Sequence, residues 1–121
     1  MNKFHVLFLC FILSLSVSAY AGNDLNINSF CSGFYSGINE SQPFSGIGKE
    51  AKESYKHFQI EVNKLGSMNS QEFNDGKKEG LKIWASKANY KKRSKNADEC
   101  FNLNSKYVQS MSDEELMQPY K

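Results

Sequence analysis

Apolar side chains recur at helical spacing along most of the chain, and the clearest series lies in its middle. Five apolar positions follow one another there at intervals of four, three, four and three residues, which places them on one face of an α-helix. They are Ala51, Tyr55, Phe58, Val62 and Leu65. Gly66 comes next, where a glycine often ends a helix. The pattern therefore predicts a helix over about residues 51–65.

Two further helices are predicted before and after this one. The first is capped by Asn28 or Ser29 and runs to about Asn39. The other begins after Asn69, which stands three residues before Glu72 in a capping-box arrangement, and reaches about residue 88. Their apolar faces are Phe30, Phe34, Tyr35 and Ile38 for the first, and Phe73, Gly76, Gly80, Leu81 and Trp84 for the second.

The last predicted helix also carries a stripe at helical spacing. The stripe consists of Ala97, Cys100, Phe101, Asn104, Tyr107, Val108 and Met111. Ser112 and Glu115 repeat the capping-box spacing, which predicts a final short turn to about Gln118, before Pro119.

The remaining segments favour loops over strands. Residues 22–29 are polar and predict a loose lead-in, and residues 41–48 contain one proline and two glycines, which is typical of a loop. No stretch alternates apolar and polar side chains over five or more positions, as a half-buried strand would. The predicted fold is all-α, a small bundle of about four helices.

The N-terminal segment has the layout of a cleavable secretory signal. Lys3 precedes an apolar run over about residues 6–17, and Ala19 and Ala21 are the small residues that signal peptidase reads. The run is too short for an uncleaved membrane anchor, which needs about 20 apolar residues. We therefore expect a signal peptide over residues 1–21, a single helical domain over residues 22–121, and a periplasmic or secreted location.

Cleavage would leave two cysteines in an oxidising compartment. Cys10 is removed with the signal, so Cys31 and Cys100 remain, and a disulfide between the first and last helices is the simplest expectation. The alternative is two buried thiols. A bridge closing a loop of about 70 residues would stabilise the fold by roughly 4 kcal/mol in the chain-entropy model. No second pair of ligands accompanies the cysteines, so a metal site is not expected.

Length and charge narrow the classes of function. The 121 residues carry 15 Lys plus Arg against 13 Asp plus Glu, and removal of Lys3 leaves 14 against 13. This balance gives no case for a nucleic-acid partner, which usually meets a strongly basic protein. A chain of this length has room for one small domain and none for a cofactor fold with a second domain.

The side chains that catalysis uses are few. His57 is the one histidine of the predicted mature chain, and it stands between Glu53 and Glu61 at helical spacing, which we interpret as an ordinary solvated face. The chain has no Gly-x-Ser-x-Gly turn and no glycine-rich phosphate loop. The acidic runs at residues 98–99 and 113–115 are typical of helix starts. We expect a protein that is not an enzyme and holds no cofactor or metal.

Two features are candidates for binding sites. The first, which we call the glycine–aromatic stripe, consists of Phe73, Gly76, Gly80 and Trp84. A glycine inside a helix costs about 1 kcal/mol relative to alanine, so two of them call for a reason. The stripe could receive a protein partner, or it could pack against another helix of the same domain; internal packing is the more common use of such a pattern.

The second candidate is the basic cluster, which contains no acidic residue between its ends. Its members are Lys87, Lys91, Lys92, Arg93 and Lys95. Such a cluster could meet an anionic surface of lipid, lipopolysaccharide or cell-wall polymer, or it could be a polar linker between helices.

In layout the chain resembles small exported bacterial proteins that combine a signal, about 100 helical residues and one disulfide. Acid-stress periplasmic chaperones, secretion pilotins, immunity proteins and phage-encoded periplasmic inhibitors share this layout. The Asn- and Lys-rich composition favours a bacterium or phage as the source. The leading expectation is an exported helical module that binds another envelope or secreted protein. The alternatives are an anionic-surface binder acting through the basic cluster and, more remotely, a small hydrolytic enzyme.

Overall fold

The structure, a computed structural model, describes residues 24–112 and residue 114. Most of these residues are helical. The helices are α1 over residues 24–41, α2 (Gly46–Leu65), α3 (Ser70–Ile83), α4 (Lys87–Lys91) and α5 (Lys95–Ser110). No strand occurs within these ranges, so the predicted all-α fold is confirmed. The predicted signal peptide and the predicted turn ending near Gln118 lie outside the described residues.

Three helix boundaries differ from the predicted ones. Residues 24–29, predicted as a loose lead-in, are already part of α1, and the Asn28 side chain donates to the carbonyl oxygen of Asp24 at 2.7 Å instead of capping the helix. The loop predicted over residues 41–48 is shorter, because Ser45 Oγ accepts from the backbone N–H of Gly48 at 3.0 Å and starts α2 at Gly46.

The third difference adds a helix to the predicted set. The helix expected to reach residue 88 ends at Ile83, and Ser86 caps the separate short helix α4 by accepting from the backbone N–H of Asn89 at 3.1 Å. Two other predicted boundaries are confirmed. Asn69 caps α3 through the N–H of Glu72, and Gly66, with a φ of 151°, ends α2.

Helix α1 lies at the centre of the bundle. Every residue from Asn28 to Ile38 except Ser36 is buried, so the helix is covered on all sides, as a helix in the middle of a domain must be. The ring of Phe34 packs edge-on against that of Phe101 on α5, with the ring centroids 5.6 Å apart. The ring of Tyr35 stacks on that of Phe58 on α2, with the centroids 5.5 Å apart. The core of the domain is therefore built around the aromatic side chains of α1.

Helix α3 packs on α1 through backbone contact at glycines. Gly76 lies against the carbonyl of Phe30, and Gly80 lies against the carbonyl of Phe34, one turn further along both helices, so the two helices run parallel. Gly33 and Gly37 of α1 make the reciprocal contacts with the backbone of α3. A Cβ atom at any of the four glycines would come closer than 3.0 Å to the facing backbone. The glycines of the stripe are thus covered by the protein itself.

Helix α5 runs antiparallel to α1 and is joined to it covalently. The predicted disulfide between Cys31 and Cys100 is confirmed, with both cysteines fully buried and their Cα atoms 5.3 Å apart. Nearer the C-terminal end of α5, the hydroxyl of Tyr107 donates to Asn28 Oδ1 at 2.7 Å. Burial raises the pKa of Tyr107 to about 12.

The helices of this bundle are short or polar by the standards of membrane spans. None of those in the described part of the chain is long and apolar enough to cross a bilayer.

Loss of the disulfide should strongly destabilise the fold. The bridge joins residues separated by 69 positions, and the chain-entropy model gives a stabilisation of about 4 kcal/mol for a loop of this size. We expect the double variant Cys31→Ala, Cys100→Ala to lose about that much free energy of unfolding, measured by equilibrium urea denaturation. The oxidised wild type is the reference, and an unchanged urea midpoint would contradict the prediction.

Substitution of Gly80 by alanine should also destabilise the protein, although alanine favours helices. The new Cβ would meet the backbone carbonyl of Phe34, which no side-chain rotation can relieve, and overpacking of this kind typically costs about 1–3 kcal/mol. Gly46→Ala is the matched control, because a Cβ at Gly46 meets nothing within 4 Å. Urea denaturation should separate the two variants, and equal midpoints would show that α1 and α3 do not pack as closely as described.

Candidate anionic-surface site

One end of the bundle collects the basic cluster together with several exposed apolar side chains. Helices α1 and α3 finish at this end, α2 and α5 begin there, and α4 lies between α3 and α5. The turn joining α1 to α2, residues 42–45, lies at the same end. We call it the basic end.

Helix α4 is held in place by contacts at its own ends and by one aromatic stack. None of its five residues is buried. The side chain of Asn89 donates to the carbonyl oxygen of Lys82 at 2.8 Å, which ties α4 to the end of α3. The ring of Tyr90 stacks on that of Trp84, with centroids 4.9 Å apart and planes 23° from parallel. The stack therefore gives this short helix an apolar contact with the residue that ends α3.

A pocket of about 380 Å³ opens beside this stack, lined by Trp84, Ser86, Lys87, Tyr90 and Lys91. Lys87 and Lys91 are four residues apart and therefore share one face of α4. The indole N–H of Trp84 is buried and donates to no described residue. The pocket is thus lined by two aromatic residues and two lysines.

The lysine side chains of the basic cluster have no partner in the part of the chain that the structure describes. Lys87, Lys91, Lys92 and Lys95 are all exposed, and the described residues offer none of their ammonium groups a hydrogen bond or an ion pair. Their charges are therefore available to a partner outside the chain.

Arg93 behaves differently from the lysines of the cluster. Its Nε donates to Asp98, its Nη1 donates to the carbonyl oxygen of Tyr90 at 3.0 Å, and its guanidinium lies 4.4 Å from the centroid of the Tyr90 ring. The hydrogen bond to Asp98 raises the pKa of Arg93. Arg93 therefore fixes α4 to the start of α5, while the four lysines remain free.

Two acidic side chains beside the cluster, those of Asp98 and Glu79, are already engaged. Asp98 pairs with Arg93, and the carboxylate of Glu79 accepts from the backbone N–H of Ser94 at 2.8 Å and from its hydroxyl at 2.7 Å. Glu79 thereby fixes the residue that caps α5. Neither carboxylate forms an ion pair with a lysine of the cluster, so the local positive charge is not cancelled by contact.

Apolar side chains lie exposed at the same end. Phe44, in the turn between α1 and α2, is 92% exposed, and Ile47, in the first turn of α2, is 40% exposed. Ile47 lines a second cavity, of about 300 Å³, together with Trp84. Because Trp84 lines both cavities, the lysine-flanked pocket and the cavity lined by Ile47 are neighbours at one residue. Sequence reasoning missed Phe44 and Ile47, since a loop with proline and glycine carries no periodic signal.

The structure separates the residues of the glycine–aromatic stripe. Gly76 and Gly80 face α1 within the domain, so the partner-binding groove predicted over Phe73, Gly76, Gly80 and Trp84 is closed, and only Trp84 contributes to the basic end. The missed signal was a second pair of glycines with the same four-residue spacing, Gly33 and Gly37. That pair supplies the complementary surface for the stripe.

The interpretation of His57 as part of a solvated face is wrong. The residue is buried, and its Nδ1 lies at hydrogen-bonding distance, 2.9 Å, from Asn104 Oδ1 on α5. This contact helps join α2 to α5. Within the described ranges, no group of three or more His, Cys, Asp and Glu side chains is arranged to hold a metal ion.

Comparisons with protein-family models, with characterised proteins and with solved structures find no match for this chain. Inference about function therefore depends on the geometry of the basic end.

The position of α4 should depend on the stack between Tyr90 and Trp84. We expect Tyr90→Ala to expose Trp84, the one tryptophan of the chain, and to increase the quenching of its fluorescence by acrylamide. The loss of unfolding free energy should stay near 1 kcal/mol, the usual magnitude for an aromatic pair. Val108→Ala, at an exposed site on α5, is the control. Unchanged quenching in Tyr90→Ala would contradict the described stack.

Proposed function

We propose that the protein is an exported binding protein that attaches to an anionic surface through the basic cluster. The observation that carries this proposal is the set of four exposed lysines whose side chains have no partner among the described residues. Two of them, Lys87 and Lys91, line the pocket of Trp84 and Tyr90. Export is supported by the signal-like segment over residues 1–21 and agrees with the disulfide.

The geometry favours this function over binding of a protein partner by the glycine–aromatic stripe. Gly76 and Gly80 are already occupied by the backbone of α1, so a second protein would have to displace a core helix to reach them. His57, the histidine expected in the mature chain, is committed to a buried contact with Asn104. That contact gives His57 a place in the packing of α2 against α5 and withdraws it from solvent.

The expected affinity follows from the number of free charges. A lysine near an anionic membrane contributes about 1 kcal/mol, so four of them give about 4 kcal/mol, equivalent to a Kd near 1 mM. Exposed charges are screened over about 8 Å at physiological ionic strength. Electrostatic attachment by this cluster should therefore be weak and reversible, and it should decrease as salt is added.

Removal of two lysines of the cluster tests the proposal. We expect the double variant Lys87→Gln, Lys91→Gln to bind phosphatidylglycerol vesicles about 30-fold more weakly, because two contributions of about 1 kcal/mol are lost. Co-sedimentation at low and high salt measures the effect, with lipopolysaccharide and a cell-wall polymer as further surfaces.

The matched control is the double variant Lys78→Gln, Lys106→Gln. It removes the same charge from two exposed lysines outside the cluster and should bind like the wild type at equal salt. Equal loss in both double variants would mean that only net charge matters, and binding insensitive to salt and to both changes would refute the proposal.

A further inference from the structure

Phe44 is presented to solvent by a turn that is held by hydrogen bonds. The backbone N–H of Gln42 donates to the carbonyl oxygen of Ile38 at 3.0 Å, which continues the hydrogen bonding of α1 into the turn. Ser45 donates its backbone N–H to the carbonyl oxygen of Gln42 at 3.3 Å and its hydroxyl to the same oxygen at 3.0 Å. The side chain at the tip therefore projects from a fixed backbone.

The turn is also anchored on the start of α2. A Cβ at Gly48 would collide with the carbonyl of Gln42, so the two backbones are in direct contact. The side chain of Asn39 donates to the carbonyl oxygen of Gly48 at 3.0 Å. These contacts hold Phe44 away from the core, where its ring is 92% exposed.

An isolated exposed apolar residue is ordinary on a protein surface, but Phe44 does not stand alone. Ile47 follows one turn later and shares a cavity with Trp84, which in turn stacks on Tyr90 between Lys87 and Lys91. Protruding apolar side chains, Trp and Tyr rings and free lysines at one end of a domain are the combination found in proteins that lie in a membrane interface.

The charge distribution also favours contact between the basic end and a membrane interface. The unpaired lysines of the cluster lie on and beside α4, at the end that carries Phe44. Two charged residues at the start of α2, Lys49 and Glu50, are both exposed and of opposite sign, so they add no net charge. A surface approaching this end meets positive charge and apolar side chains together.

A bilayer suits this combination better than a hydrated anionic polymer. Its headgroups offer negative charge to lysines, and the acyl chains beneath them offer an apolar layer in which a phenyl ring is removed from water. A polymer of phosphate or carboxylate groups offers the charge without the apolar layer, so Phe44 would stay in water.

We infer that the surface bound by the basic end is a bilayer of anionic phospholipid, with Phe44 and Ile47 entering the acyl-chain boundary while Lys87 and Lys91 contact the headgroups. This inference rests on the proposed function and names its partner. It describes attachment to one leaflet, in which Trp84 lies at the level of the headgroups.

Vesicle binding followed by the fluorescence of Trp84 tests the inference. The mature chain is titrated with vesicles of phosphatidylcholine alone and of phosphatidylcholine mixed with phosphatidylglycerol. We expect a blue shift and protection from an aqueous quencher with the anionic vesicles only. Equal binding to both vesicle types, or no shift with either, would overturn the inference.

Phe44→Ser is the decisive variant, since an exposed side chain can be changed without disturbing the core. It should weaken binding to anionic vesicles about 30-fold, keep the salt dependence and leave the unfolding temperature unchanged. Val108→Ser, which removes a 47% exposed valine from α5, is the matched control and should bind like the wild type. If Phe44→Ser binds vesicles as the wild type does, the insertion of Phe44 is refuted.

Inorganic polyphosphate, which has charge and no apolar layer, distinguishes failure of this inference from failure of the proposed function. Phe44→Ser should bind it as tightly as the wild type, whereas Lys87→Gln, Lys91→Gln should lose affinity for both polyphosphate and vesicles. If only the lysine variant loses affinity, and does so for both probes, the proposed function stands and the insertion of Phe44 into the acyl-chain boundary is refuted. No loss with either variant on either probe would refute both.

Discussion

The close contact between the backbones of α1 and α3 is the constraint on which the rest of the structure depends. Four glycines allow it, and each of them lowers the intrinsic helix stability by about 1 kcal/mol relative to alanine. Contact between backbones compensates, because dispersion attraction acts over the whole crossing. With α3 this close, the aromatic side chains of α1 are free to pack against α2 and α5, and the end of α3 carries Trp84 and α4 into position.

Helix directions explain why the candidate site lies at one end of the bundle. Because α1 and α3 run parallel and α2 and α5 run against them, the turn after α1 and the segment between α3 and α5 meet at the same end. Residues 42–47 and 84–95, distant in sequence, thus form one surface. At the opposite end lie the start of α1, near Asp24, and the end of α2, near Gly66. The side chain of Leu25 lies beside Gly66 there.

Local signals in the sequence predict local features of this fold well. The cap at Asn69, the helix end at Gly66 and the disulfide between Cys31 and Cys100 follow from short patterns or from composition. Features set by distant contacts were not predictable in this way. Asn28 resembles a cap, yet it serves Tyr107, 79 residues away, and His57 resembles a solvated residue, yet it meets Asn104. For the candidate site, the charges were visible in the sequence, but the apolar turn beside them was not.

The disulfide has a consequence for the integrity of the chain. Cys31 and Cys100 enclose between them α2, α3, α4 and the exposed turn that carries Phe44. A protease that cut beside the lysines of α4 or within that turn would break the backbone inside this covalent ring. The two fragments would remain one molecule until the bridge was reduced, so a nicked protein would keep both halves of the basic end together.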